Sequence, residues 1–381
     1  MLYFGGPVFS IFPDYSVECE GVEGDLEVDL CRSIGAVLRI SFTLAIFHFI
    51  IAILCLFPGK MAQAVHEGGW GFKFLIVFVM FVACCFIPND FFKGYMYVSL
   101  CTSLIFILFQ VVILIDLAYT WNAKWVGQYD GTDNESGSET SWVVLLVIFT
   151  VLFFGGGITI IVFLYVGYHG PFEIVCTSIT LGAAVLYTAF SVSPWKGENG
   201  SILTCSIVFL FTCFFCWSAI LSSSDVGKEA EYSTALQIFF GLAIMILALF
   251  YVCCYAKNPD APSSAGGVIE VINKPLIEQE DEKEKLLNKD APLNSETSSE
   301  ELPAVTLQTA FFHLVMVFAA LYYGMLLTNW GNPTIETSVG YFMPSAGLGF
   351  WIKIVSEWLT ILLFIWTLIA SKICPDRDFS Q

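Results

Sequence analysis

Long apolar stretches separated by shorter polar ones organise this chain. Nine of them, at about 34–57, 71–88, 95–115, 142–168, 172–193, 201–222, 234–256, 304–328 and 350–370, are candidates to cross a bilayer. A helix needs roughly 20 mostly apolar residues to span a hydrocarbon core about 30 Å thick. None of the nine shows the two-residue alternation of barrel strands, so each predicts a helix whose backbone groups are satisfied within the segment. The fold class expected is all-α: a polytopic membrane protein of about nine transmembrane helices. Polar segments set the organisation around them. Residues 1–33 form an extracellular or lumenal segment, 34–256 hold spans one to seven, and 257–303 form a long loop. Residues 304–370 hold spans eight and nine, and 371–381 form a cytosolic tail.

Composition supports this reading and narrows it. The chain is 57% hydrophobic and 13% charged, with a mean hydropathy of +0.75, against about 45–50% apolar and about 25% charged in an ordinary soluble domain. That balance argues against a disordered protein, a nucleic-acid binder and a soluble enzyme. The net charge of −18 sits mostly outside the spans. Residues 1–33 hold seven acids and Arg32, and residues 257–303 hold eleven acids and five lysines. The second of these cannot bury enough apolar area to offset the entropy of ordering, so it reads as a disordered acidic loop. Its Pro275-Leu276-Ile277 run after Lys274 has the form of a sorting or adaptor-binding signal.

Cytosolic loops carry the Lys/Arg excess. Running the odd-numbered spans inward places eleven of the sixteen cations inside and five at the outer side, so the N-terminus is expected outside and the C-terminus in the cytosol. Residues 1–18 lack a basic start and a sustained apolar run, so they do not read as a secretory leader. The sequons at Asn134 and Asn199 then fall in cytosolic loops and should stay unmodified. Cys19 and Cys31 share the outer segment, where an oxidising compartment favours a disulfide.

Ionisable and amide side chains inside the spans are the candidate chemistry, because polar groups at membrane depth are costly and face a partner or a cavity. Arg39 and His48 lie on the first span, Gln110 and Asp116 on the third, Gln237 on the seventh and His313 on the eighth. Lys353 and Glu357, four residues apart on the ninth, share a helix face and are able to pair. Each taken singly is also explained by packing or by snorkelling towards a helix end. Catalytic motifs are missing, and His48, His66, His169 and His313 share no metal-ligand spacing. Neither an enzyme, a metal site nor a cofactor is expected. Gly155-Gly156-Gly157 marks a close-packing or kinking site.

A set of strings, in order, resembles the serine incorporator family of multipass membrane proteins. They are AVHEGGWGFK at 64–73, FIPN at 86–89, FIL at 106–108 and QVVILID at 110–116, running on to Trp121-Asn122 and Trp125-Val126. In the C-terminal third come FFH at 311–313, MLLTNW at 325–330, WIKI at 351–354, WTLIA at 366–370 and DRDFS at 376–380. The resemblance implies a ten-helix plan, here expected without its first span, with two helical subdomains joined by a long tilted helix at about 95–125. It implies a lipid-accessible cleft, with phospholipids as partners, and a role in moving phospholipids between leaflets and in supplying serine to phosphatidylserine and sphingolipids. Arg39, Gln110, Asp116, Trp121, Asn122, Lys353 and Glu357 are the residues of this sequence expected to line such a groove. Two other functions fit the same composition: a secondary transporter of serine or another small polar solute, and a scaffold that docks lipid-synthesis enzymes or sorting adaptors on residues 257–303. The site of action expected is the plasma membrane or an endomembrane.

Overall fold

The long apolar stretches do form helices. A computed structural model describes residues 25–57, 65–66, 68–130, 138–193, 201–222, 230–257, 302–331 and 347–373. Its helices are α1 (Asp25–Cys55), α2 (Trp70–Cys85), α3 (Asn89–Asp130), α4 (Ser138–Gly167), α5 (Pro171–Val192), α6 (Ile202–Ile220), α7 (Ala230–Lys257), α8 (Leu302–Leu327) and α9 (Leu348–Ile373). A short 3₁₀ turn, Asn329–Gly331, follows α8. Among the described residues there is no strand. Cys19, both sequons and the acidic loop lie outside the described residues.

Eight of these helices are long and apolar enough to cross a membrane. The exception is α2, the expected second span, at 16 residues and so about 24 Å long. Its ends explain the shortfall. Gly69 precedes it in the left-handed region (φ 69°), which only glycine enters without strain. The turn at Phe86-Ile87, followed by Pro88, closes the other end. By contrast α3, with 42 residues, extends about 63 Å and exceeds the thickness of a bilayer.

Packing divides the helices into two groups. α1, α2, α7 and α8 pack among themselves, as do α4, α5, α6 and α9, while α3 packs against α1, α7 and α8 on one side and α4, α6 and α9 on the other. This is the arrangement of two helical subdomains joined by one long helix. The centre of the second group is α6, where every residue from 203 to 220 is buried except Ile207 and Leu210. On α4, α2 and α7 the outward faces display large apolar side chains such as Phe72, Phe74, Phe78, Val151, Leu152, Phe239 and Phe250. A surface so apolar is stable facing lipid and not water.

Small residues set the closest approaches. A Cβ on Gly157 would sit 2.5 Å from the Phe209 ring, and one on Gly156 3.2 Å from Leu210, whereas Gly155 has open space around it. The triple glycine is therefore a seat for α6 on α4, and α4 continues through it without a break. On the other side of α3, a Cβ on Gly324 would meet Ser41 Oγ at 2.7 Å, so α1 and α8 are in close contact there.

Candidate functional site

Polar side chains inside the bundle collect at four places, and each is built by a different set of helices. The most enclosed is on α9. Lys353 is completely buried, and its Nζ donates to the Ser218 carbonyl (3.0 Å) and to Ser222 Oγ (2.6 Å). Ser218 lies in the last turn of α6 and Ser222 just beyond it, where the terminal carbonyls have no intrahelical partner and carry the negative end of the helix dipole. The ammonium also stands 5.0 Å from the centre of the Trp330 ring, a cation–π contact. Trp330 and Asn329 hold φ of 57° and 50°, a region costly for residues with a Cβ. Gly349 lies against this turn, since a Cβ there would meet Trp330 at 3.1 Å. Gln237 of α7 donates to Ser218 Oγ and joins the same cluster.

Glu357, one turn along α9, is taken by another helix. Its Oε1 accepts from Thr180 Oγ1 of α5 at 2.5 Å, while its Oε2 is buried with no hydrogen-bond partner. The pairing with Lys353 that their spacing allows is not made. The two side chains share a face of α9, but α6 holds one and α5 the other.

Arg39 occupies a second place. Its guanidinium, fully buried, donates from Nη1 to the Gly35 carbonyl (3.0 Å) and from Nη2 to the Ile87 carbonyl (2.9 Å) and Asn89 Oδ1 (2.8 Å). It also stacks over Phe92 at 4.5 Å. Arg39 thereby ties α1 to the turn that joins α2 to α3, using the planar fork that distinguishes arginine from lysine.

The third place runs along α3. Gln110 is buried and lines a narrow crevice between α3 and α7, with Ile113, Leu114, Leu117, Leu247 and Ala248 among its walls. Asp116 accepts a hydrogen bond from Tyr251 of α7. Trp121 turns the other way, onto Trp125, Phe149 and Phe153 of α3 and α4. Asn122 Oδ1 accepts from Ser201 Oγ, immediately before α6, at 2.8 Å. The candidates at 110–122 therefore face both helix groups from one helix. Cys31, the described half of the expected disulfide, is fully buried in α1.

A fourth place was not legible in the sequence. His48 of α1, His313 of α8 and His66 of the α1–α2 connection come together, although up to 265 residues separate them. Their spacing carries no signal, because the fold alone makes them neighbours. The same holds for Thr180, Ser218, Ser222 and Trp330, ordinary residues in apolar runs until α9 packs against them.

The helix plan and the long α3 agree with what the sequence strings implied. A family model described as serine incorporator matches residues 11–377. The chain belongs to the serine incorporator family. It is 30% identical over 374 residues to a probable serine incorporator of Nematostella vectensis, covering 91% of this chain and 80% of that protein. It is similar to serine incorporator 2 of Bos taurus (29% identity; 94% of this chain, 82% of the other). Serine incorporator 5 of Macaca fascicularis is 24% identical, over 97% of this chain and 93% of its own length. This family member is an integral membrane protein.

Proposed function

We propose that this serine incorporator moves phospholipids between leaflets along the seam where the two helix groups meet on α3, and thereby supports phosphatidylserine and sphingolipid synthesis. The observation that carries this reading is the pair Lys353 and Glu357, an ammonium and a carboxyl buried one turn apart on α9 without bonding each other. Burying such groups is expensive unless they serve a partner. Here they place a donor and an acceptor inside the membrane, on a helix packed against α3, which itself presents Gln110 and Asp116. A polar lining of this kind lowers the cost of drawing a headgroup through hydrocarbon, and it needs neither a catalytic step nor an energy source.

In this reading the protein is not an enzyme, its N-terminus is outside or lumenal, and its C-terminus is cytosolic. Cys19 of the outer segment pairs with Cys31 in the first turns of α1, and the 257–303 loop contacts lipid-synthesis enzymes or sorting adaptors without being needed for lipid movement. The test is reconstitution of the full chain in liposomes carrying a fluorescent phospholipid, with an outer-leaflet quencher reporting flipping. Faster flipping than in empty vesicles is expected. Lys353→Met should slow it about tenfold, the effect of roughly 1.4 kcal/mol on a barrier. Flipping no faster than in empty vesicles would end the proposal.

A further inference from the structure

The three clustered histidines form a chain. His48 Nδ1 lies 3.0 Å from His313 Nδ1, and His66 Nδ1 lies 3.1 Å from His313 Nε2. His313, buried at 5% exposure, therefore uses one ring nitrogen on each neighbour. The rings of His48 and His313 are stacked with centres 5.2 Å apart, and that of His66 stands nearly perpendicular to His313. Because the nitrogens of the central ring point opposite ways, the three do not converge on one point. Among the described residues no such group is disposed to hold a metal ion. The ligand this geometry suits is a proton.

We propose that His48, His313 and His66 form a proton-binding site that retains both hydrogen bonds with one excess proton and loses one of them with a second, releasing the adjoining ends of α1 and α8. The reasoning is a count of N–H groups. A neutral imidazole has one N–H and one acceptor nitrogen, and an imidazolium has two N–H groups. In the neutral trio, His313 donates to one neighbour and accepts from the other. One added proton makes His313 a double donor, and both neighbours accept, so both contacts persist as stronger charge-assisted bonds. Two added protons, however placed over three rings, leave at least one contact with N–H facing N–H.

The surroundings confine the effect. Lys73 of α2 donates to the His66 carbonyl at 2.8 Å and stacks on Trp70 at 4.4 Å, holding a fixed positive charge beside the chain. At this end of α1 the other titratable group is Cys55, buried against Ala310 and Val65. On α8 there are Tyr322 and Tyr323, more than two turns from His313. α3, packed on α8, offers Asp116, which Tyr251 engages. Two turns along α1, Ser41 Oγ donates to the Ala320 carbonyl at 2.8 Å in the tight contact with Gly324, so the opening stays local to this end.

Hydrogen–deuterium exchange of the full chain in lipid nanodiscs, corrected for intrinsic pH dependence, tests this. Between about pH 8 and pH 4, where imidazoles titrate, segments 44–55 and 309–316 should pass from slow to fast exchange. The rise should be about tenfold per pH unit once the second proton binds, while the Ser41–Ala320 region stays unchanged. His313→Gln should abolish the pH response. Since a change at that buried position risks misfolding, the double variant His48→Gln/His66→Gln provides the second arm. Its amides bond His313 in either protonation state, so it too should respond flatly. A wild-type protein that shows no transition, or a folded variant that keeps it, overturns the proposal.

Discussion

Glu357 shows how much a single side chain depends on the helix opposite it. Its position on α9 is plain in the sequence, and so is its distance of one turn from Lys353. Which of its neighbours bonds it is not, because Thr180 is one of many hydroxyls in apolar stretches. With Thr180 Oγ1 on Oε1 and nothing on Oε2, this carboxyl keeps one hydrogen bond in a medium where an unmet polar group is costly. Thr180→Val, nearly the same shape, should lower stability by about 1–2 kcal/mol, read as a fall in thermal unfolding midpoint in detergent. Glu357→Leu in the same background should recover part of the loss, because it removes the polar group that was left without a partner. A Thr180→Val protein as stable as wild type would mean that the bond has no energetic weight. Lys353 gives the complementary lesson: its i,i+4 spacing to Glu357 invites an ion pair, yet the freed carbonyl at the end of α6 holds it instead.

At the level of elements, length and apolarity specified α1 and α3–α9 as helices long enough to span, and α2 as a shorter apolar helix. The stretch at 71–88 has the composition of a span, but Gly69 and the Phe86–Pro88 turn clip it to 16 residues. The helices are apolar around their whole circumference, so periodicity could not say which face meets another helix and which meets lipid. Small residues carry that information instead. Gly157 faces Phe209 while Gly155, two residues away, faces open space. Gly157→Leu should therefore drive α4 from α6 and cost about 1–3 kcal/mol as an overpacked contact, whereas Gly155→Leu should leave the unfolding midpoint near that of wild type. Phe209→Ala, which removes the obstructing ring, should partly rescue Gly157→Leu. Equal effects of the two glycine substitutions would contradict the α4–α6 seating.

The described helices form two groups sharing α3, and the proposed orientation in the membrane rests on where the cations lie. In that orientation, with all nine apolar helices crossing and the short α2 among them, eleven of sixteen Lys and Arg residues face the cytosol, so Asn134 and Asn199 should carry no glycan when the full chain is expressed in a secretory cell. Enzymatic deglycosylation followed by a gel-mobility comparison checks this, and a shift that disappears on removing either sequon would invert the topology. The sequence by itself determined that the chain lives in lipid, that it is helical, which family it resembles and where its charges are concentrated. These are properties of composition, run length and local strings, which need no knowledge of neighbours. The tertiary structure decided which polar groups meet: Lys353 with the end of α6, Glu357 with Thr180, Arg39 with the α2–α3 turn, and three histidines brought together from both ends of the chain. The physical reason is that in lipid the apolar pattern no longer distinguishes inside from outside, so partners are chosen by close packing and by the need of each buried polar group for a hydrogen bond.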